Sequence, residues 1–498
     1  MVPIVKKSRI FRSLFYLAAV MGCSILAAGI YWYAGKIFQR GISCKNCNVI
    51  LVSLDTLSAD NLSCYGYEHN TAPNLCAFAD KQVNFPHAYA NSTYTLPTHV
   101  TMFTGLYPST HTIQEVGTKK LPESAPFLPS ILKDNGYRTI FLMDQYNPHM
   151  PMDTVYFRGI DTQFDESTVP WSRALNEFEN VIRRGEKAFL FIHSYYVHPP
   201  YNEEDKPASY ADDDFDWIFL RDSDKTGNTQ NFIDFLITAL QHNLANNVPK
   251  DPARHRALLD ELTAGVGNII TQQKALSRYD AIVKEYRENY DPLIRLDPAD
   301  PRQMSYFKSV YDERIRKLDS GPLRELLSFV QKPSVAANTI VIITSDHGEE
   351  FGEHGFISHS TLYNPNTHVV FTMGIPGVNS RRIMEYVQTA DITPTIIDLL
   401  GIHTSFVFDG ISVARTLSGG RLLRRMLVAE SARNITLRLG RWKLFLDKSG
   451  IDSVPVELYD TEKDPKEQIN LLFSHFRFAQ NMLSAYKRQI HEITPLSF

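Results

Sequence analysis

An α/β fold is the class this sequence predicts, and two observations predict it. Five runs, NVILVSLD (48–55), TIFLMD (139–144), AFLFIHSY (188–195), TIVIITSD (339–346) and VVFTMGIPG (369–377), are apolar without alternation. That is how strands read when both faces of a parallel sheet are covered. Helical patterns separate them, at 73–81 and 125–135 among others, and such alternation is what a doubly wound sheet requires. Composition agrees, with 43% hydrophobic and 21% charged residues over 498 positions. A chain of that kind can fill a large core and is not disordered as a whole.

Taken in order, the chain opens on a basic tail, residues 1–14, with Lys6, Lys7, Arg9 and Arg12 and no acidic residue. Residues 15–34, FYLAAVMGCSILAAGIYWYA, carry no charge. A helix of that length spans roughly 30 Å of hydrocarbon. Tyr31, Trp32 and Tyr33 close the span as an aromatic belt, and the basic flank predicts a cytoplasmic N-terminus with the rest of the chain periplasmic or exoplasmic. The apolar run is long for a signal peptide and lacks a small-x-small cleavage site, which favours an uncleaved, single-pass anchor. Residues 35–47 form a linker ending in Cys44 and Cys47. One C-x-x-C pair is a weak zinc or redox signal; a local disulfide or two idle thiols fit it equally, and Cys64 and Cys76 are a further candidate pair.

Residues 48–380 read as the principal domain, interrupted by a helical insertion at about 203–305, where Phe232, Phe235, Leu236, Ala239 and Leu240 recur at helical spacing with no β-run between. Residues 381–498 read as a smaller α+β part, with β-like segments at 426–429 and 442–446. A net charge of −4 removes the electrostatic footprint of a nucleic-acid binder. A mean hydropathy of −0.22 excludes a polytopic membrane protein. Asn61, Asn91 and Asn434 open N-x-S/T sequons, relevant only in a eukaryotic secretory route.

Chemistry-bearing residues follow the strand runs. Asp55 ends the first run, and Ser345-Asp346-His347-Gly348 ends the fourth. Carboxylate oxygens and an imidazole nitrogen at strand ends suit a divalent cation. Thr95 opens TLPTHVTMFTG, in which Pro97 suits the first turn of a helix and Gly105 its end. Thr95 would then sit at a helix N-terminus that favours an anion, and a cation shared with Asp55, Asp346 and His347 would make its hydroxyl a nucleophile. Singly, each residue also reads as a cap or a chance match. Their joint placement on strand ends is what raises the catalytic reading.

These segments resemble a known family. NVILVSLDTLSADNLSCYGY, TLPTHVTMFTGLYPSTH, AFLFIHSYYVHPPY, YDERIRKLD, SDHGEEFGEHG, HSTLYN, TADITPTIIDLLG and ELYDTEKDPKEQINL follow one another as in the sulfatase branch of the alkaline phosphatase superfamily. The resemblance implies an alkaline-phosphatase-like mixed sheet flanked by helices, a smaller C-terminal α+β domain, and one divalent metal ion, with Ca²⁺, Mn²⁺, Mg²⁺ and Zn²⁺ not distinguished. Carried over by position, Asp55, Asp346 and His347 look like ligands, Thr95 like a nucleophile that also touches the metal, and His198 and His359 like groups that bind the ester or protonate the leaving group. His99, standing where the family motif has arginine, is counted with the catalytic set. The departures concern the nucleophile. Sulfatases carry Cys or Ser, oxidised to formylglycine, where this chain has Thr95; no formylglycine is expected on a β-carbon that bears a methyl. Thr56 replaces the second of the family's paired aspartates, and Asp144 and Tyr146 stand in the place of its K-x-H pair.

The expectation is therefore a membrane-anchored, metal-dependent hydrolase that cleaves a phosphate ester, monoester or diester, through Thr95. The anionic ester substrate would be an envelope glycan or a lipid head group. Alternatives are a sulfuric ester hydrolase, a phosphoethanolamine- or phosphoglycerol-type transferase, and a catalytically silent binder of anionic glycans or head groups. A silent relative would be expected to lose metal ligands first, and none of the three strand-end ligands is missing.

Overall fold

The computed structural model describes residues 42–114, 120–143, 158–166, 168–199, 201–202, 219–220, 298–422, 425–448 and 453–492. The expected membrane helix at 15–34 and most of the helical insertion lie outside them. Among the described residues no helix is long and apolar enough to cross a membrane.

In chain order the large unit comprises β1 (Asn48–Leu54), α1 (Pro73–Lys81), β2 (Val83–Asn84), α2 (Thr95–Thr104), α3 (Leu128–Asp134), β3 (Tyr137–Met143), β4 (Thr162–Asp165), α4 (Trp171–Arg183) and β5 (Lys187–Ser194). It continues with α5 (Pro301–Ser320), α6 (Pro322–Val330), β6 (Thr339–Ser345), β7 (Phe371–Gly374), β8 (Arg381–Arg382) and α7 (Ile392–Leu400). One eight-stranded sheet runs in the order β8-β2-β7-β6-β1-β5-β3-β4. The central strand β1 is parallel to both β5 and β6, with Leu54 opposite Ser194 on one side and Ser345 on the other. Its residues divide between two cores. Val49 and Leu51 join a cluster with α2, α3 and α7 residues such as Phe103, Leu132 and Ile396. Ile50 and Val52 join another with Phe178, Phe307 and Leu326 of α4, α5 and α6. Both faces are covered, which is why the run shows no alternation.

The run at 369–377 departs from the parallel expectation. Its strand β7 is antiparallel to β6 and to β2, so the sheet is mixed. The chain between β6 and β7 contains only two short helical turns, a 3-10 turn at Glu353–Gly355 and a four-residue helix at Asn364–Thr367. Without a full crossover helix it stays at the carboxyl end of the sheet and must re-enter in the opposite sense.

The smaller unit is a four-stranded antiparallel meander, β9 (Leu427–Glu430), β10 (Asn434–Leu439), β11 (Trp442–Asp447) and β12 (Val454–Asp460), covered by α8 (Phe476–Glu492). Its core includes Val428, Leu437, Leu444, Leu458 and Met482. The segment just after residue 380 packs with the large unit instead: β8 pairs with β2, and Ile392, Ile396 and Leu399 of α7 lie in the main core. In the region expected to lack strands, Phe219–Leu220 pairs in parallel with Tyr201–Asn202, and the expected end of the insertion, at about 305, falls inside α5, which starts at Pro301.

Cys44 pairs with Cys47 and Cys64 with Cys76. Two of the sequon asparagines are committed to the interior. Asn61 is buried and donates to Asp312; Asn91 is buried and donates to Gln388 and the Val428 carbonyl.

Helix α5 anchors neighbouring elements through side chains. Helix α1 has no side-chain cap of its own at Ala72. Asp319, buried on α5, supplies one by accepting from Asn74 N at 2.9 Å and Leu75 N at 2.8 Å. Removing those acceptors strands two buried N–H groups. Asp319→Ala is expected to lower stability by about 2 kcal/mol, measured as a lower denaturant midpoint at unchanged slope; an unaltered midpoint contradicts this anchoring role.

Candidate active site

The site forms where β1, β5 and β6 end side by side. Register dictates this: Leu54 faces both Ser194 and Ser345, so Asp55, the β5 terminus and Asp346 emerge together. Helix α2 delivers the fourth group. It begins at Thr95 after the extended Tyr94 and ends at Gly105, which holds φ +68°. Every residue of α2 is buried, so the position of Thr95 is fixed by packing. As the first residues of the helix, Thr95 and Leu96 have amides without helical partners at the positive end of the dipole, and Pro97 has no N–H to satisfy.

Asp55 and Asp346 are fully buried. Asp346 Oδ1 accepts from Thr56 N at 3.2 Å and His347 N at 2.8 Å. Asp55 Oδ2 accepts from His193 Nε2 at 3.0 Å and from Thr95 Oγ1 at 3.4 Å. His347 donates Nδ1–H to the Gly348 carbonyl at 3.1 Å, which leaves Nε2 as a bare lone pair. Three buried atoms remain without any hydrogen-bond partner: Asp55 Oδ1, Asp346 Oδ2 and His347 Nε2. His347 Nε2 lies 3.8 Å from Asp55 Oδ1 and 3.5 Å from Asp346 Oδ2. The ligand atoms offered by the three residues all fall within 4.8 Å of one another. Orphaned buried donors of this kind are costly unless something occupies their centre. Two carboxylates and one imidazole fit a divalent cation.

Electrostatics point the same way. Burial pushes Asp55 up to about 8 and drives Asp346 well above the carboxylate range, each worsened by a neighbouring carboxylate. Burial also holds His347 well below its ordinary value, so its imidazole is neutral and free to ligate. A dication would offset the cost of two adjacent buried charges.

His359 stands over this cluster, its ring 4.6 Å from that of His347. Burial works against its charged form, but Glu349, whose Oε2 accepts from Nδ1 at 3.3 Å, together with Asp55 and Asp346 outweighs it and the net shift is upward. His198 stacks on Tyr195 at 4.2 Å and lies 5.3 Å from the His359 ring. Beside them a cavity of about 470 Å³ is lined by Glu166, Trp171, Tyr195 and Tyr196 among others.

The structure thus brings together Asp55, Thr95, Asp346, His347 and His359, with His198 one ring further out. His99 is a correction to the catalytic set. It lies beneath the site, fully buried, with Nδ1 donating to the Thr95 carbonyl at 2.7 Å and Nε2 accepting from Ser53 Oγ at 3.0 Å. With both nitrogens engaged it cannot reach an ester, and it acts as a positioning residue for the first turn of α2.

Sequence reasoning missed three contributors. His193 directly follows the apolar stretch 188–192, opposite Ser53 in register, and donates to Asp55. Glu349 sets the charge of His359. Thr56 serves through its backbone N–H, held at φ +55° by Tyr311, whose hydroxyl donates to the Thr56 carbonyl at 2.6 Å. A β-branched residue in that region is strained, and the contact from α5 sustains it.

Fold and site together define an α/β protein of the alkaline phosphatase superfamily with side chains that could hold a metal. The chain belongs to the sulfatase family within it: the family model described as Sulfatase matches residues 47–402. Mouse arylsulfatase K is 30% identical over 164 residues, 30% of this chain and 30% of that protein. Mouse iduronate 2-sulfatase is 23% identical over 413 residues, 79% of this chain and 72% of that protein. The match to arylsulfatase K thus spans under a third of that relative, and the match to the Rhizobium meliloti choline-sulfatase covers 33% of it. Among solved structures, a protein in complex with its substrate D-glucosamine-2-N,6-O-disulfate aligns at TM-score 0.63 with 17% identity, covering 91% of this chain and 99% of that chain. The phosphonate monoester hydrolase of Agrobacterium radiobacter aligns at TM-score 0.60 with 18% identity, covering 89% and 96%.

The geometry makes a direct prediction about metal. Asp55→Asn, Asp346→Asn and His347→Ala each remove one orphaned donor and should lose bound divalent metal by elemental analysis. His193→Ala should weaken metal affinity by about ten-fold or more through Asp55, while His198→Ala leaves it unchanged. Full occupancy in all three ligand variants would refute the assignment.

Proposed function

We propose that this chain hydrolyses a phosphate ester, with Thr95 as the nucleophile and one divalent cation held by Asp55, Asp346 and His347. One observation carries the reading: Thr95 Oγ1 opens a buried helix 3.4 Å from Asp55 Oδ2, beside three orphaned ligand atoms. A cation there would neutralise the anionic ester and lower the pKa of the threonine hydroxyl. The remaining work belongs to the chain. Asp55 Oδ2 accepts the hydroxyl hydrogen, and the start of α2 favours the developing negative charge. Thr95 Oγ1 bonds to phosphorus as the bond to the leaving oxygen breaks in line. His359, held toward its charged form by Glu349, gives the proton to the leaving oxygen. Water then gives a proton to the now neutral His359 and attacks the phosphothreonine in line; the bond from phosphorus to Thr95 Oγ1 breaks, Asp55 returns the hydrogen to Oγ1, and phosphate leaves. His198 assists at the ester oxygens.

Phosphate is preferred to sulfate because the threonine β-carbon bears a methyl, so its oxidation cannot yield the aldehyde of formylglycine. Sulfate-ester hydrolysis is the second reading, favoured by the sulfatase names among the relatives. The intact ligand set argues against a silent binder.

Thr95→Ala should reduce turnover of aryl phosphate monoesters and diesters by about 10⁴-fold or more while the fold persists. Thr95→Ser should retain part of the activity. Stalled turnover followed by peptide mass analysis should place phosphate on residue 95. Undiminished phosphoesterase activity in Thr95→Ala would end this mechanism, and turnover confined to aryl sulfates would favour the second reading.

The same reading places residues 15–34 as a membrane anchor, with the remainder periplasmic or exoplasmic. The basic flank before residue 15 supports it, as do two disulfides, which persist in oxidising compartments. A compartment-sensitive reporter fused at the C-terminus should be active on the far side of the membrane; a cytoplasmic signal would reverse the topology.

A further inference from the structure

A second cationic feature lies outside the site described above. A cavity of about 680 Å³ opens where β8 ends, walled by Arg381, Arg382, Glu385, Tyr386, Arg421 and Arg425 among others. Four arginines thus share one concave surface with a single carboxylate. Arg381 reaches only the Thr416 carbonyl, and Arg382 only the Cys64 carbonyl, each at 3.4 Å. Neither these two nor Arg421 forms an ion pair with any described residue. Arg425 is the most enclosed member, partly buried. One of its nitrogens is paired with Asp391, while Nε and Nη1 have no hydrogen-bond partner. Burying guanidinium donors unpaired is costly, and an anion in the cavity would relieve that cost.

Topology gives the cavity its place. Strand β8 is parallel to β2, β2 is antiparallel to β7, and β7 to β6, so β8 runs in the same sense as β1. The cavity therefore opens at the same end of the sheet as Asp55 and Asp346. Four strand spacings separate β8 from β1, about 19 Å.

We propose that this arginine cavity is a second anion-binding site that holds a distant charged group of an extended substrate. The occupant is a soluble oligosaccharide bearing sulfate or phosphate groups on several sugars, one of which reaches the Thr95 site while another rests among the arginines. The concave wall favours a chain with discrete anionic groups over a flat lipid surface, because guanidinium groups set around a pocket, such as those of Arg381 and Arg421, can each pair with one oxyanion carried into it. The inference rests on the ester-hydrolase reading for what happens at Thr95, but not for the binding itself.

The test uses the full chain in detergent and a fluorescein-labelled heparin decasaccharide as probe, read by anisotropy. Arg421→Ala combined with Arg381→Ala should weaken binding on the order of ten-fold or more, with thermal unfolding unchanged and small aryl ester turnover retained. Arg421→Glu alone, at an exposed position, should weaken it in the same direction and guards against misfolding of the double variant. Thr95→Ala should bind the probe as the parent does, so loss of catalysis and loss of the second site are separable. Unchanged affinity in both arginine variants overturns the proposal. So does loss of binding to phosphatidylserine vesicles with decasaccharide binding intact, which would make the cavity a lipid contact.

Discussion

Two carboxylates that would repel one another are held side by side in the interior, and much of the molecule is arranged around that contact. Asp55 and Asp346 leave adjacent parallel strands at matched positions, fully buried, each with one oxygen satisfied and one bare. Parallel pairing makes the apposition unavoidable: residues following Leu54 and Ser345 must come out together. Water is excluded by Thr95, His193, His347 and the loop after β6. Burial raises the proton affinity of both, Asp55 raises that of Asp346 further and Glu349 that of Asp55, so the arrangement is stable only with protons or a cation between them.

Keeping that geometry requires support from outside the strands. Tyr311 of α5 donates to the Thr56 carbonyl and accepts from Ser58 N, fixing the strained turn that presents Thr56 N to Asp346. His99 ties the first turn of α2 to β1 through Ser53. Gly348 follows His347 where a Cβ would meet the Pro365 carbonyl at 1.9 Å, so no larger residue fits between the ligand and the returning loop.

The smaller unit contributes through a buried polar hub. Lys443 of β11 contacts Glu467 at 2.7 Å and Asn364 at 3.1 Å, and Arg438 of β10 donates to Asn364 at 2.6 Å. Asn364 and Asn366 belong to the loop between β6 and β7, and Asn366 donates to Glu350 at 2.6 Å. The meander therefore clamps the loop that carries His347, Glu349 and His359. Burial lowers Lys443 to about 8, with Glu467 opposing the shift. Charges this deep are tolerated because each is hydrogen-bonded.

Much of this was legible in the residues. Unbroken apolar runs marked the strands because both sheet faces are covered, and a proline followed by a glycine bounded α2. Carboxylates and a histidine directly after strands marked the candidate metal cluster, since strand ends converge in such sheets. The roles of YDERIRKLD and of ELYDTEKDPKEQINL were not legible. Tyr311, Asp319 and Glu467 act across long sequence separations, and no local pattern encodes which loop a helix side chain will hold.

What the sequence by itself determined is the layered α/β class, the helix start at Thr95 and the placing of Asp55, Asp346 and His347 directly after strands, because periodicity, capping and strand termination are local properties of the chain. Tertiary structure alone decided the rest. It turned β7 antiparallel because the connection from β6 lacks a crossover helix. It made His99 a support by occupying both its nitrogens. It recruited His193, whose position beside Asp55 depends on strand register, and it gathered four arginines from separate segments into one cavity. Each of these depends on which distant atoms come within a few ångströms, and that is settled only when the chain packs.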